Sequence, residues 1–110
     1  TTCAGAAGYH VVYGVGSQLP SSPGGTFSLG GSACRVTSTW TWTGSPDPSS
    51  DPGKLLWFLV LADDGASTEG SWGTDGRGVE RQGPAAGGAS GVCGVSTKSV
   101  ANSCGQGMTE

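Results

Sequence analysis

Lys54-Leu55-Leu56-Trp57-Phe58-Leu59-Val60-Leu61-Ala62 contains the longest apolar run of the chain. Read with the two-residue period of a strand, Leu55, Trp57, Leu59 and Leu61 fall on one face, and Leu56, Phe58, Val60 and Ala62 on the other. Both faces are apolar. Such a strand is expected at the centre of a sheet, buried on both sides by a second sheet, a loop or a neighbouring molecule. Asp63-Asp64-Gly65 ends it with a turn signature.

Elsewhere, no window carries apolar residues at helical spacing, and Gly or Pro interrupts almost every segment. Short β-prone runs remain. Residues 9–15 alternate loosely, with Tyr9, Val11, Tyr13 and Val15 on one face and His10, Val12 and Gly14 on the other. A Pro/Ser/Gly loop over 16–25 follows, then a short strand over 26–29. Residues 34–43 read as the clearest strand, with Val36, Ser38, Trp40 and Trp42 opposite Thr37, Thr39, Thr41 and Thr43. Prolines at 46, 48 and 52 make 44–53 a loop. Short strands are expected over 69–73, 78–82 and 92–100, and the low-complexity 83–91 segment reads as a mobile loop. The expectation is all-β: one domain over 1–110, a small disulfide-pinned β-sandwich or jelly-roll of about six to eight short strands.

Composition narrows the setting. Hydrophobic residues make up 35% of the 110 residues and 22 are Gly, so the core is thin and needs covalent support. Cys3, Cys34, Cys93 and Cys104 form an even set with no metal-ligand spacing, as in small extracellular domains. The preferred pairing is Cys3–Cys34 with Cys93–Cys104, which would fasten both ends. A bridge from Cys3 or Cys104 to a neighbouring subunit is the competing reading. Charged residues are 12% and the net charge is −3, which excludes a nucleic-acid footprint. The apolar run at 55–62 is too short to span a bilayer, so no membrane insertion is expected. A start at Thr1 fits a secreted or cell-surface protein whose signal peptide has been removed.

Three residue sets are candidate sites. The hydroxyl row of Thr37, Thr39, Thr41 and Thr43 reads as an exposed sheet face or a contact surface. Of the four tryptophans, most read as core. Trp40, Trp42 and an exposed Trp72 are candidates for a sugar-stacking platform. Asp63, Asp64, Glu69 and Asp75 cluster in a turn-rich stretch that would suit calcium, although the spacing matches no EF-hand loop. A solvated acidic loop is the plainer reading, and no metal or cofactor is assigned. His10, the single histidine, would have to serve as base in any Ser-His-Asp triad, and no Gly-x-Ser-x-Gly elbow is present. No catalytic residue is therefore assigned.

The stretch Ala62-Asp-Asp-Gly-Ala-Ser-Thr-Glu-Gly-Ser-Trp-Gly-Thr-Asp-Gly-Arg-Gly-Val-Glu-Arg81, with Gly-Val-Cys93-Gly and Asn-Ser-Cys104, resembles segments of uncharacterised secreted proteins from GC-rich bacteria. The resemblance spans 54–105. It implies an extracellular, cysteine-closed domain and brings no activity or catalytic residues.

The leading expectation is a non-enzymatic secreted or cell-surface domain that associates with itself, as in a filament or surface layer. Low charge lets copies approach, and a doubly apolar strand requires a cover. The alternative is a small carbohydrate- or surface-binding module. A secreted hydrolase or inhibitor is the third reading.

Overall fold

The doubly apolar stretch forms a strand at the centre of a five-stranded sheet, in a computed structural model that describes residues 6–37, 39–50 and 53–100. The strands are β1 (Gly8–Val15), β2 (Gly31–Val36), β3 (Leu56–Asp63), β4 (Thr68–Glu69) and β5 (Thr97–Lys98). Their order in the sheet is β2-β1-β3-β4-β5. The chain is all-β: its helical elements among the described residues are three short 3₁₀ turns, at Gly16–Gln18, Pro48–Ser50 and Ala86–Gly88.

β1 and β3 form the backbone of the sheet. They pair antiparallel without a slip, from Gly8 opposite Asp63 to Val15 opposite Leu56. Directly opposed residues share a face. The inner face therefore carries His10, Val12 and Gly14 from β1 with Leu61, Leu59 and Trp57 from β3. The Trp57 ring lies over Gly14, where an added Cβ would come within 2.7 Å of the indole. Its Nε1 donates to the Val15 carbonyl at 3.1 Å. Glycine is what lets the large ring lie flat on the neighbouring strand.

The core is small. Val12, Leu61 and Trp72 are buried, with Phe27, Leu29, Trp57, Leu59 and Val92 packed around them. Phe27 sets its ring edge-on to Trp57 (5.2 Å) and Trp72 (5.8 Å). The layer facing the sheet is mostly irregular. Single bridges at Thr26–Gln82 and Thr74–Glu80 are all that forms over the strands expected at 26–29 and 78–82, so strands are fewer than expected.

Four expectations are corrected. The strand foreseen over 34–43 ends at Val36. Beyond it Trp40 N–H donates to the Thr37 carbonyl, and the chain folds so that Trp42 packs on Tyr13 (4.8 Å) and Phe58 (5.8 Å). Aromatic burial outweighs the β-propensity of the Thr row. The 83–91 segment is built into the core: Gly88, Ala89 and Ser90 are buried. Gly83 N–H donates to Gly88 O and Ala85 N–H to Ala89 O, a reversal made possible by positive φ at Gly87 (70°) and Gly88 (83°). The preferred disulfide pairing gives way to Cys34–Cys93, with Cα atoms 5.5 Å apart. It joins β2 to the turn after the Gly-rich segment. Cys3 and Cys104 lie outside the described residues. Finally, the outer face of β3 is covered only in part: Trp42 packs on Phe58, yet Phe58 is 56% and Val60 58% exposed.

Candidate functional site

The inner face of the sheet contains a charged cluster within the apolar core. His10 is fully buried. Its Nδ1 lies 2.8 Å from Asp63 Oδ2 and its Nε2 3.0 Å from Glu69 Oε2. The strands dictate this meeting. His10 is in phase with Val12 on the inner face, and Asp63, the last residue of β3, is in phase with Leu61. The Asp63–Glu69 pairing then brings β4 alongside.

Glu69 is also buried, and both of its oxygens are saturated. Oε1 accepts from Trp72 Nε1 and from Ser90 N–H, each at 2.7 Å. Oε2 accepts from Ser90 Oγ at 2.7 Å as well as from His10. Four donors from three segments thus converge on one carboxylate. Burial of the carboxylate opposes its charge, but hydrogen bonds from His10, Ser90 and Trp72 outweigh this and hold its pKa below the ordinary 4.5. For His10, burial likewise works against the charged form. Hydrogen bonds and charge from Glu69 and Asp63 prevail, and its pKa is raised above 6.5. With both ring nitrogens facing carboxyl oxygens, the site favours the protonated form of the imidazole.

A second polar cluster adjoins it. Glu80 accepts from Ser71 Oγ (2.6 Å), Trp72 N–H (2.5 Å) and Lys98 Nζ (3.1 Å). The Lys98 side chain is 3% exposed, and its Nζ lies 5.2 Å from the Trp72 ring centroid. Trp72 is therefore fixed by Glu69 at its indole nitrogen, by Glu80 at its backbone and by Lys98 over its ring.

This chemistry holds structure together. Ser90 Oγ donates to Glu69 and not to His10, so Ser90 is not placed for attack with His10 as its base. Asp63 and Glu69 sit on opposite ring nitrogens of His10 and do not converge on a common point. Among the described residues, no group of three or more His, Cys, Asp or Glu side chains forms a metal-holding set. The other two acidic candidates cap turns: Asp64 accepts from Ala66 and Thr68 N–H, and Asp75 from Arg77 and Val79 N–H. These bonds hold both carboxyls below 3.8.

The outer face of the sheet is different in kind. Tyr13, Trp42 and Phe58 are in ring contact, and Trp40 extends the cluster with its ring 5.8 Å from Trp42 at 31°. Trp40 is 38% exposed. Of the tryptophan candidates, Trp40 and Trp42 are thus together at the surface, while Trp72, expected to be exposed, is buried at 2%. The indole is held inward by Glu69, which accepts from its Nε1, and by Lys98 over its ring, while Glu80 holds the Trp72 backbone N–H. Thr37, Thr39, Thr41 and Thr43 are exposed but lie outside any strand, so they form no ladder.

Sequence reasoning did not assign His10, Ser90, Glu80 or Lys98 to a cluster. One signal for His10 was present: it alternates in phase with Val12, on the face that Leu61 shares. Ser90 had none, since nothing local places a serine from a Gly/Ala run against a glutamate 21 residues away. Comparison of the chain with protein-family models, with curated proteins and with solved structures finds no match.

Proposed function

We propose that this chain is a non-enzymatic extracellular domain that associates with copies of itself, as a subunit of a filament or surface assembly. The observation that carries the reading is the exposed apolar surface on the outer face of β3. Phe58 and Val60 are more than half exposed in a strand with no charged residue from Leu55 to Ala62. Natural edge and surface strands are usually blunted by charge or proline, and this one is not. The Cys34–Cys93 bond fits an oxidising compartment. No helix among the described residues is long and apolar enough to cross a membrane. Sedimentation velocity over a wide concentration range, with negative-stain imaging, tests the proposal. Concentration-dependent assemblies are expected; a protein that stays monomeric throughout would overturn it.

A second reading rests on the Trp40–Trp42 pair, whose rings lie side by side at the surface. Such rings stack on the apolar faces of sugars. A glycan array with Trp40→Ala as control tests it: hits lost in the variant support a carbohydrate module, and an array without hits removes it.

A further inference from the structure

We infer that the partner strand in this self-association is β3 of a second copy, added antiparallel to the open edge of β3 with Phe58 on the two-fold axis. The inference rests on the self-association proposed above and specifies its geometry.

The edge follows from the hydrogen-bond pattern. Gly70 N–H donates to Ala62 O, and Asp64 N–H to Thr68 O, so the backbones of residues 62 and 64 point towards β4. Backbone groups of a strand alternate in direction. Leu56, Phe58 and Val60 therefore point the same way as Ala62, away from β1. β4 reaches only Asp63. Among the described residues, no strand pairs with 56–61 on that side. A row of N–H and C=O groups is left open in the middle of the most apolar segment of the chain.

Area decides between packing by the face and pairing by the edge. At 150–250 Å² per aromatic side chain, the exposed parts of Phe58, Val60 and Trp40 amount to on the order of 300 Å². A standard interface needs about 800 Å² from each partner. Face packing alone falls well short. Edge pairing adds the strand backbone and its ladder, and it continues the sheet so that the two aromatic faces become one.

The register follows too. In a two-fold antiparallel pair, hydrogen-bonded positions must be outward-pointing residues on both copies. Centring on Phe58 sets Phe58 opposite Phe58 and Leu56 opposite Val60, which uses all three outward residues and makes about six backbone bonds. Opposed side chains share a face, so Phe58 meets its own copy on the outer face beside Val60 and Leu56. No charge of one copy meets a like charge of the other along 55–62, which is what a second identical strand requires.

Phe58→Lys and Phe58→Glu test this. Each alone sets like charges directly opposite and is expected to weaken association by about tenfold or more. An equimolar mixture should restore it. Both side chains replace one that is already more than half exposed, and circular dichroism checks that each variant folds. Hydrogen exchange of the wild type should show the amides of Leu56, Phe58 and Val60 slowing on assembly. Association of the wild type without protection there, or without rescue in the mixture, overturns the edge pairing and leaves self-association standing. A wild type that does not associate overturns both.

Discussion

Replacing Glu69 by alanine tests the view that one carboxylate organises the core. The change removes the acceptor for Trp72 Nε1, Ser90 N–H, Ser90 Oγ and His10 Nε2, all at 2.7–3.0 Å. Ser90 Oγ can rotate to another acceptor, and His10 can shed its proton and keep Nδ1–H on Asp63. The Trp72 and Ser90 N–H groups cannot adapt. Each buried orphan costs about 1–3 kcal/mol, and the vacated volume adds about 1 kcal/mol. The expected loss is about 3–7 kcal/mol, a large part of the 5–15 kcal/mol typical of a domain. Glu69→Gln is the control. Its carbonyl oxygen can serve Trp72 and Ser90 N–H, while its NH₂ faces Ser90 Oγ and a neutral His10 Nε2, both of which can accept. It should lose about 1–2 kcal/mol. Urea unfolding followed by fluorescence, with the slope checked for constancy between variants, measures both. If the two variants lose the same stability within about 0.5 kcal/mol, the convergence of donors on Glu69 is not what holds the core together.

The same cluster sets a pH window. The raised pKa of His10 contributes stability that is complete below 6.5 and is lost as pH rises through its folded value. The lowered pKa of Glu69 contributes stability present above 4.5 and lost as pH falls through its folded value. Maximum stability is therefore expected between these limits, and Glu69→Gln should flatten the alkaline limb; melting temperatures across pH 3–9 read both, at steps of about one unit. Trp72→Ala should cost about 3–5 kcal/mol, measured by urea unfolding, because it empties the centre of the core and leaves Glu69 without one donor. Opening the Cys34–Cys93 bond as a double Cys→Ser variant should cost about 4 kcal/mol for a span of 59 residues, seen as a lower melting temperature with an unchanged circular dichroism spectrum.

Much of the fold is legible in the sequence because period-2 alternation survives at β1 and β3. Those two strands, the central position of β3 and the all-β class follow from it. What misleads is residue identity read without partners. Thr37 to Thr43 have high β-propensity, yet Trp42 folds over Tyr13 and Phe58 and ends the strand early. The 83–91 run has the composition of a mobile loop, yet smallness is what lets its backbone reach Glu69. Trp72 sits among glycines and polar residues and looks exposed. Its burial depends on Glu69, Glu80 and Lys98, which come from separate segments and carry no shared local signature.

One property of β3 explains why a charged cluster sits in so small a core. A strand apolar on both faces carries no register information of its own, because a slip of one residue exchanges one apolar face for another. Its pairing with β1 must be fixed at the ends. At one end Trp57 fits only over Gly14, and its Nε1 reaches Val15 O. At the other, Asp63 meets His10, and Glu69 meets the same ring. A one-residue slip would put Asp63 on the face opposite His10 and bury an unpaired charge. That penalty, several kcal/mol for a lost buried pair, far exceeds what apolar contacts distinguish between registers. The polar cluster therefore makes an all-apolar strand safe within one chain. It does so at residues 63 and 69, leaving 56–60 free of charge along the edge where a second chain is proposed to pair.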